Sequence, residues 1–112
     1  MLYIRMSLMT PRAGSEHDVA AIMDDLVAYY GKQPGFVKGY KLMAADESGD
    51  IGRITVWRSQ EAADATAQTE HVLAKRSELA PLLVPESHIE RSFHAEEGES
   101  LLTQLLRTLH VR

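Results

Sequence analysis

Three side chains between residues 53 and 71 have the chemistry for acid–base and charge-stabilising catalysis. His71 carries an imidazole that titrates near neutral pH, so it is a candidate general base or hydrogen-bond donor. Arg53 carries a fixed positive charge that would stabilise a phenolate or enolate as it forms. Trp57, the only tryptophan of the chain, offers a flat wall for stacking a planar substrate. We take these three as candidate catalytic residues.

Each of the three also has a purely structural interpretation, and the sequence leaves these alternatives open. Trp57 is of a type that most often packs, here at the end of a sheet or against a partner chain. His71 fits a surface helix position paired with a nearby glutamate. Arg53 fits a cross-strand ion pair with Glu90 or another carboxylate.

Further polar side chains on the predicted strands are candidate substrate-binding residues: Arg5, Tyr40, Thr55, Glu90, Ser92 and His94. A metal site on the last strand is not predicted, because the strand from His88 to His94 spans about 20 Å and its two histidines cannot reach one ion. The chain has no cysteine, and its glycines do not match a dinucleotide-binding pattern, so we predict no cofactor.

The elements that must position these residues follow from periodicity and turn signals. Alternation and short apolar runs predict four strands, over residues 2–9, 36–45, 51–58 and 87–95. Apolar residues at helical spacing predict one helix from the Ser15 cap to Gly31 and a second from the Ser59 cap to Pro81. The order predicts a ferredoxin-like βαββαβ fold, α+β in class, with an antiparallel four-stranded sheet over residues 1–96. A leucine stripe predicts a C-terminal helical extension over residues 97–112.

Two helices cover only one face of such a sheet, and we expect the purely apolar strand positions to lie under them: Ile4, Met6, Leu8, Ile54, Val56, Ile89 and Phe93. The uncovered face would then carry the mixed positions Tyr3, Arg5, Ser7, Met9, Arg53, Thr55, Trp57, His88, Glu90, Ser92 and His94. The second strand is mixed on both faces and is not assigned. A second copy packed face to face would enclose the uncovered face as a polar-lined cavity, so we predict a homodimer. The leucine stripe also needs a covering surface.

Three stretches resemble the antibiotic biosynthesis monooxygenase family of dimeric α+β barrel proteins: "KQPGFVKGYKLM", "GRITVWRSQEAADATAQTEHV" and "ERSF". The resemblance spans roughly residues 2–95 and implies a dimeric barrel, with Trp57 and His71 at positions where the family often has Trp and His. The haem-degrading branch of the family has an Asn on strand one and, after the strand-three Trp, a second Trp and a His. Here strand one has no Asn, and Thr66 and Arg76 stand near the other two positions, so the pattern argues against haem degradation.

The resemblance implies a monooxygenase that acts without a cofactor on a small hydroxylated aromatic or quinol. Two alternatives stay open, a non-catalytic dimeric module that binds a small apolar ligand or a protein partner, and an isomerase in the same barrel. The net charge of −4 argues against nucleic-acid binding, and no apolar run approaches the length of a membrane span. The absence of cysteine is compatible with the cytoplasm, where we predict the protein to reside.

Overall fold

The computed structural model describes residues 1–96, 98 and 101–110. The described chain forms, in order, β1 (Leu2–Met9), α1 (Glu16–Tyr30), β2 (Phe36–Met43), β3 (Ile51–Trp57), α2 (Gln60–Ala67), α3 (Glu70–Leu79), a 3₁₀ turn (Ala80–Leu82), β4 (Ile89–Ala95) and α4 (Leu101–His110). The four strands form one antiparallel sheet in the order β2-β3-β1-β4. The predicted ferredoxin-like α+β fold and the C-terminal helix are therefore confirmed.

The core lies between the sheet and the helix layer. Val19, Met23 and Leu26 recur along α1 at helical spacing and are fully buried against the sheet. Val72 and Leu79 of α3 bury the corresponding stripe of the second helical segment. These residues hold α1 and α3 on the same face of the sheet.

The second helix was predicted as one segment, but the chain forms two helices that separate at Gln68 and Thr69. The hydroxyl of Thr66 donates to the carbonyl of Ala62 (3.0 Å), and the hydroxyl of Thr69 donates to the carbonyl of Thr66 (2.8 Å). Such local bonds compete with the helical ladder, and Thr69 takes an extended backbone conformation (φ −70°, ψ 151°). Thr69 therefore ends one helix and begins the next, whereas the predicted Ser59 cap is confirmed by its bond from the amide of Ala62 (3.2 Å).

The grouping of the polar strand residues is confirmed, but their assignment to the uncovered face is wrong. Ser7 lies opposite both Arg53 and Glu90 in the sheet, and directly opposite residues share a face. That face is the one beneath the helices, since Arg53 reaches Met23 of α1 and the Trp57 ring meets Tyr30 at 5.9 Å. The mixed residues of β1 and β3 are therefore covered by the helices of a single chain, whereas those on and just before the edge strand β4 share this face but stay exposed.

The uncovered face carries the apolar positions that we expected under the helices. Ile4, Ile54 and Val56 are only half-buried in the single chain, and Ile89 and Phe93 are exposed. Apolarity alone could not orient the sheet, because this open face needs apolar residues as much as a helix-covered core does. Lys38 and Arg91 lie on the two outer strands of this face, and the apolar patch between them is typical of a surface that another chain covers.

Helix α4 follows β4 and carries Leu105, Leu106 and Leu109 on its exposed surface. The boundary that we predicted at residue 96 stays a prediction, since residues 97, 99, 100, 111 and 112 lie outside the described part of the chain. No described helix combines the length and apolar character needed to cross a membrane.

Candidate active site

Two adjoining cavities lie between the sheet and the second helical segment, and Arg53 and Arg76 line both of them. The outer cavity, about 310 Å³, opens between the end of α3 and the loop before β4. The inner cavity, about 40 Å³, lies deeper, against Trp57 and Thr55. The outer cavity is at the small end of the range for ligand sites, whereas the inner one has room for water but not for an aromatic ring.

Arg53 is the central charged group of this site. Its residue is only 7% exposed, and its guanidinium donates to the sulfur of Met23 (3.6 Å) and lies 5.5 Å from the centroid of the Tyr30 ring. No carboxylate within residues 1–96, 98 and 101–110 forms an ion pair with it. A buried guanidinium without a counter-charge is costly, because burial removes water without supplying an anion. The arrangement therefore suits an anionic or strongly electron-rich ligand.

Ser7 adds a second unsatisfied polar group beside Arg53. Its residue is 1% exposed, and its hydroxyl has no hydrogen-bond partner in the described part of the chain. A buried hydroxyl left unpaired costs about 1–3 kcal/mol. Ser7 and its strand neighbour Arg53 therefore make this part of the sheet polar at a cost in stability.

Trp57 lies in the wall of the inner cavity, and its residue is only 2% exposed. Its ring meets the Tyr30 and Phe36 rings edge to face, at 5.9 and 5.4 Å between centroids. These contacts occupy the indole in the way that aromatic packing normally does. Trp57 thus shares the site with Arg53, but in this conformation its ring faces too little space to stack on a substrate.

The outer cavity combines an apolar wall with a few polar groups. Leu79, Leu83 and Val84 supply apolar surface, and His88 stands at the mouth as an exposed residue. Burial lowers the pKa of His88; the Glu90 carboxylate opposes this, while the positive charges of Arg53 and Arg76 add to it. The neutral imidazole is therefore favoured near pH 7, and this is the form that accepts a proton.

Arg5 closes the far side of the inner cavity. Its guanidinium donates to the carboxylate of Asp64 on α2 (2.7 Å) and to the hydroxyl of Tyr3 (2.8 Å). Burial alone would lower the pKa of Arg5, but these hydrogen bonds raise it above the usual value. Arg5 therefore links β1 to α2 through its charged side chain, and its Nη2 makes both hydrogen bonds.

His71 lies outside both cavities, between α3 and α1. Its Nε2 is 2.5 Å from a carboxylate oxygen of Asp25, and its ring stacks on Tyr29 at 4.1 Å between centroids, nearly parallel. The structural alternative from sequence paired His71 with a nearby glutamate, but the carboxylate comes from Asp25 on α1. His71 is therefore not brought together with Arg53 and Trp57.

The other predicted residues divide into two sets. Thr55 and Glu90 line the inner cavity with Arg5. Tyr40 lies opposite Ile54 on the open face, so the sheet separates it from both cavities. Ser92 and His94 share the face of the site but line neither cavity, and His94 instead meets the Tyr3 ring at 5.7 Å.

Two site residues were not predicted as such, Arg76 and His88. A signal for Arg76 exists in the sequence, because Val72, Arg76 and Leu79 follow the i, i+4, i+7 spacing of one helix face. An arginine within an otherwise apolar stripe indicates a polar site beneath it. His88 was weighed only as a metal ligand, and no three His, Cys, Asp or Glu side chains among the described residues are grouped so that they could hold a metal ion.

A profile of the antibiotic biosynthesis monooxygenase family matches residues 2–76, which is more than half of the chain. The chain belongs to the antibiotic biosynthesis monooxygenase family. The match spans the strands β1 to β3, the helices α1 and α2 and most of α3, and it agrees with the resemblance noted in the sequence. No curated protein matches the chain by sequence.

Solved structures of this family's type share the fold at low sequence identity. Rv0793 from Mycobacterium tuberculosis superposes with a TM-score of 0.79 at 17% identity, covering 89% of this chain and 100% of its own. SnoaB, a cofactor-independent oxygenase from Streptomyces nogalater, gives 0.74 at 20% identity, covering 87% and 95%. PA3566 from Pseudomonas aeruginosa gives 0.75 at 18% identity, covering 86% and 95%. At these identities the likeness establishes the fold and leaves the chemistry to the site.

Proposed function

We propose that this protein is a monooxygenase that oxidises a small hydroxylated aromatic or quinol, using the substrate itself as the reductant. The observation that carries the proposal is the buried Arg53, which has no carboxylate partner in the described part of the chain and lines a largely apolar cavity of about 310 Å³. An apolar wall suits an aromatic ring, and an unpaired guanidinium suits the oxyanion that forms when its hydroxyl ionises. Membership of the antibiotic biosynthesis monooxygenase family supports the reaction type.

The proposed reaction begins with removal of a proton from the bound substrate, which leaves an electron-rich anion held by Arg53. The anion transfers one electron to dioxygen, and the resulting radical and superoxide join in a carbon–oxygen bond. The peroxide formed after protonation then loses water, with cleavage of its O–O bond and loss of the hydrogen on the same carbon. One oxygen atom becomes a ring carbonyl and the other becomes water, and all four electrons come from the substrate.

We assign the general base to His88 rather than to His71. His88 lines the same cavity as Arg53, and its lowered pKa favours the proton-accepting form near neutral pH. The proposal from sequence assigned this step to His71, but its imidazole is engaged by Asp25 and Tyr29 on the far side of α3. One experiment tests both assignments of the general base.

A second candidate function, binding of an apolar ligand without turnover, is favoured by the packing around Trp57. The inner cavity beside it is nearly filled, so the aromatic residue that would stack on a substrate is occupied by Tyr30 and Phe36. An isomerase would use the same base and cavity. These alternatives differ from the oxygenase in whether dioxygen is consumed.

We further propose that the protein is a homodimer whose two sheets meet through their open faces. The half-buried Ile54 and Val56 lie on the inner strand β3 and would form the centre of that contact. This differs from the arrangement expected from sequence, because each chain would keep its own polar cavity under its own helices. A cytoplasmic location stays a prediction from the sequence.

The test is oxygen uptake by the metal-stripped protein with a panel of anthrones, naphthols and quinols, comparing His88→Gln with His71→Gln. We expect uptake to survive chelation, and kcat to fall about 100-fold or more in His88→Gln, as for loss of a general base. His71→Gln should stay within about twofold of the unsubstituted protein because it lies outside the cavity. The reverse pattern would return the base to His71, and no uptake with any substrate would favour ligand binding or isomerisation.

The pH profile separates a base from a structural histidine. Because the folded-state pKa of His88 is lowered, its neutral form persists below the ordinary value of about 6.5, and uptake should decline only at more acid pH, about tenfold per pH unit. The folded protein also binds this proton less tightly than the unfolded chain. The free energy of unfolding should therefore decrease as pH falls from about 6.5 through the folded-state pKa. His88→Gln should abolish both effects, and an unchanged acid limb would contradict the assignment.

A further inference from the structure

We propose that Arg76 is the residue that limits the size of the aromatic ligand, because its side chain divides the space under α3 into the outer and inner cavities. The identity of the ligand as a hydroxylated aromatic rests on the proposed function, whereas the division itself rests only on the geometry. In this arrangement a ligand of one or two rings occupies the outer cavity. The inner cavity has no room for a ring of its own, so a third ring reaches toward Trp57 only when the Arg76 side chain vacates its space.

The two cavities share two residues, and these differ in how firmly they are held. Arg53 is nearly fully buried and is fixed by Met23 and Tyr30. The Arg76 side chain is 43% exposed, and its one ion pair in the described chain is a contact of 3.9 Å with the carboxylate of Glu90 on β4. That distance is too long for a hydrogen bond. Of the two residues that line both cavities, Arg76 is therefore the one that can be substituted without disturbing buried contacts.

The position of Arg76 on the inward stripe of α3 explains why it spans the gap. Val72 and Leu79, one turn before and about one turn after it, are both buried against the sheet. The Arg76 side chain starts from the same stripe and extends toward Glu90, across the opening between the helix and the edge strand. Its side chain thus stands at the boundary between the cavities of about 310 and 40 Å³, because it lines both of them.

Trp57 is a built-in reporter of the inner cavity, since it is the only tryptophan of the chain and lines the inner of the two cavities but not the outer. Quenching of its fluorescence by acrylamide measures how easily a small neutral molecule reaches it. We expect Arg76→Ala to raise the Stern–Volmer constant about twofold or more, because the passage opens. Arg76→Gln, which keeps part of the side chain, should give a smaller rise and serves if the alanine variant does not fold.

Lys75→Ala is the matched control. It removes a positive charge from the neighbouring position of the same helix, where Lys75 pairs with Glu78 and lines neither cavity. Its quenching should equal that of the unsubstituted protein. A similar rise in Lys75→Ala and Arg76→Ala would mean general loosening of α3 and would overturn the proposal, as would unchanged quenching in both Arg76 variants.

Ligand size gives the second readout, by titration of the Trp57 fluorescence with 1-naphthol and with a three-ring hydroxyanthracene. Arg76→Ala should bind the three-ring compound about fivefold more tightly or better, with stronger quenching, while 1-naphthol changes by less than about twofold. Equal changes for both ligands would contradict the size limit. Absence of oxygen uptake by the unsubstituted protein would overturn only the proposed function, because acrylamide quenching does not depend on turnover.

Discussion

The face of the sheet beneath the helices presents Arg53, Ser7 and Glu90, whereas the open face presents Ile4, Ile54 and Val56. Arg53 and Ser7 are buried within one chain, whereas Glu90 on the edge strand is exposed. The apolar positions of the open face are only half-buried by the described part of the chain, and an arrangement with buried polar and half-buried apolar strand residues is opposite to the ordinary one of a small domain.

This contrast separates two uses of burial. On the open face, burying apolar residues against a partner would contribute association energy roughly in proportion to area. On the covered face, Arg53 is buried without a carboxylate partner among the described residues, and the Ser7 hydroxyl is buried there without a hydrogen-bond partner. Both features oppose folding, and they are understandable where charge must later be stabilised in a site with little water. The core around Met23 and Leu26 must offset that cost.

The largest effect is expected at Arg53, the buried charged residue of the covered face. Arg53→Met should reduce kcat/KM for oxygen uptake by about 100- to 1000-fold, because it removes the group that stabilises the developing oxyanion. The same substitution should not lower the free energy of unfolding, and we expect a gain of about 1 kcal/mol, because it replaces an unpaired buried charge with an apolar side chain. Oxygen uptake and urea unfolding measure the two quantities.

The control for Arg53→Met is Arg58→Met, just beyond the same strand and exposed to solvent. It should change neither quantity appreciably, since surface substitutions are usually within about 0.5 kcal/mol. If Arg53→Met is strongly destabilised and keeps its activity, the covered face serves stability and not catalysis, and the contrast between the two faces does not hold.

A smaller effect is expected on the open face. Ile54→Asp places a charge at its centre and should weaken the proposed dimer about 100-fold, or about 2.7 kcal/mol. Because Ile54 is only half-buried in the single chain, the monomer should stay folded, with an unchanged circular dichroism spectrum. Sedimentation equilibrium measures the dissociation constant, and Ser77→Asp on the exposed surface of α3 is the control. An unaffected dimer would place the contact elsewhere.

The sequence was sufficient for the element order and for which strand residues share a face, because the period of two in a strand fixes that grouping. It was not sufficient to decide which face of the sheet lies beneath the helices. Ile54 and Val56 satisfy the pattern of a core-facing strand equally well whether helices or a second chain cover them. Distinguishing the two requires a tertiary contact such as that between Arg53 and Met23, which no local pattern contains.

The site was predictable to a similar degree. Arg53 and Trp57 come together because both lie on one face of β3, and that follows from their spacing. His71 was separated from them by the direction of its helix position, which turns it toward α1, about 100° around the helix from Val72. The break at Thr69, which resets the phase of the second helix, was also absent from the predicted single segment.

The smallest effect is expected at His71, which joins α3 to α1 through its contact with Asp25. We call this contact the seam between α1 and α3. The experiment tests whether the seam is structural or takes part in the function of the covered face. The contact with Asp25 is partly exposed, with about a third of each side chain open to solvent, so the pair is worth about 0.2–1 kcal/mol. Asp25→Asn should lower the free energy of unfolding by about that amount and leave kcat/KM within about twofold. The neighbouring Asp24→Asn, which loses a more exposed pair with Lys41, should cost no more.

A double-substitution cycle of Asp25→Asn with His71→Ala isolates the energy of the pair from the stacking of His71 on Tyr29. If the seam is purely structural, the coupling appears in urea unfolding and is absent from oxygen uptake. Coupling in kcat would instead connect this histidine to the reacting substrate through α3, whose inward stripe carries Arg76. The polar function of the covered face would then extend through the helix layer, and the division between a catalytic sheet face and a structural helix seam would not hold.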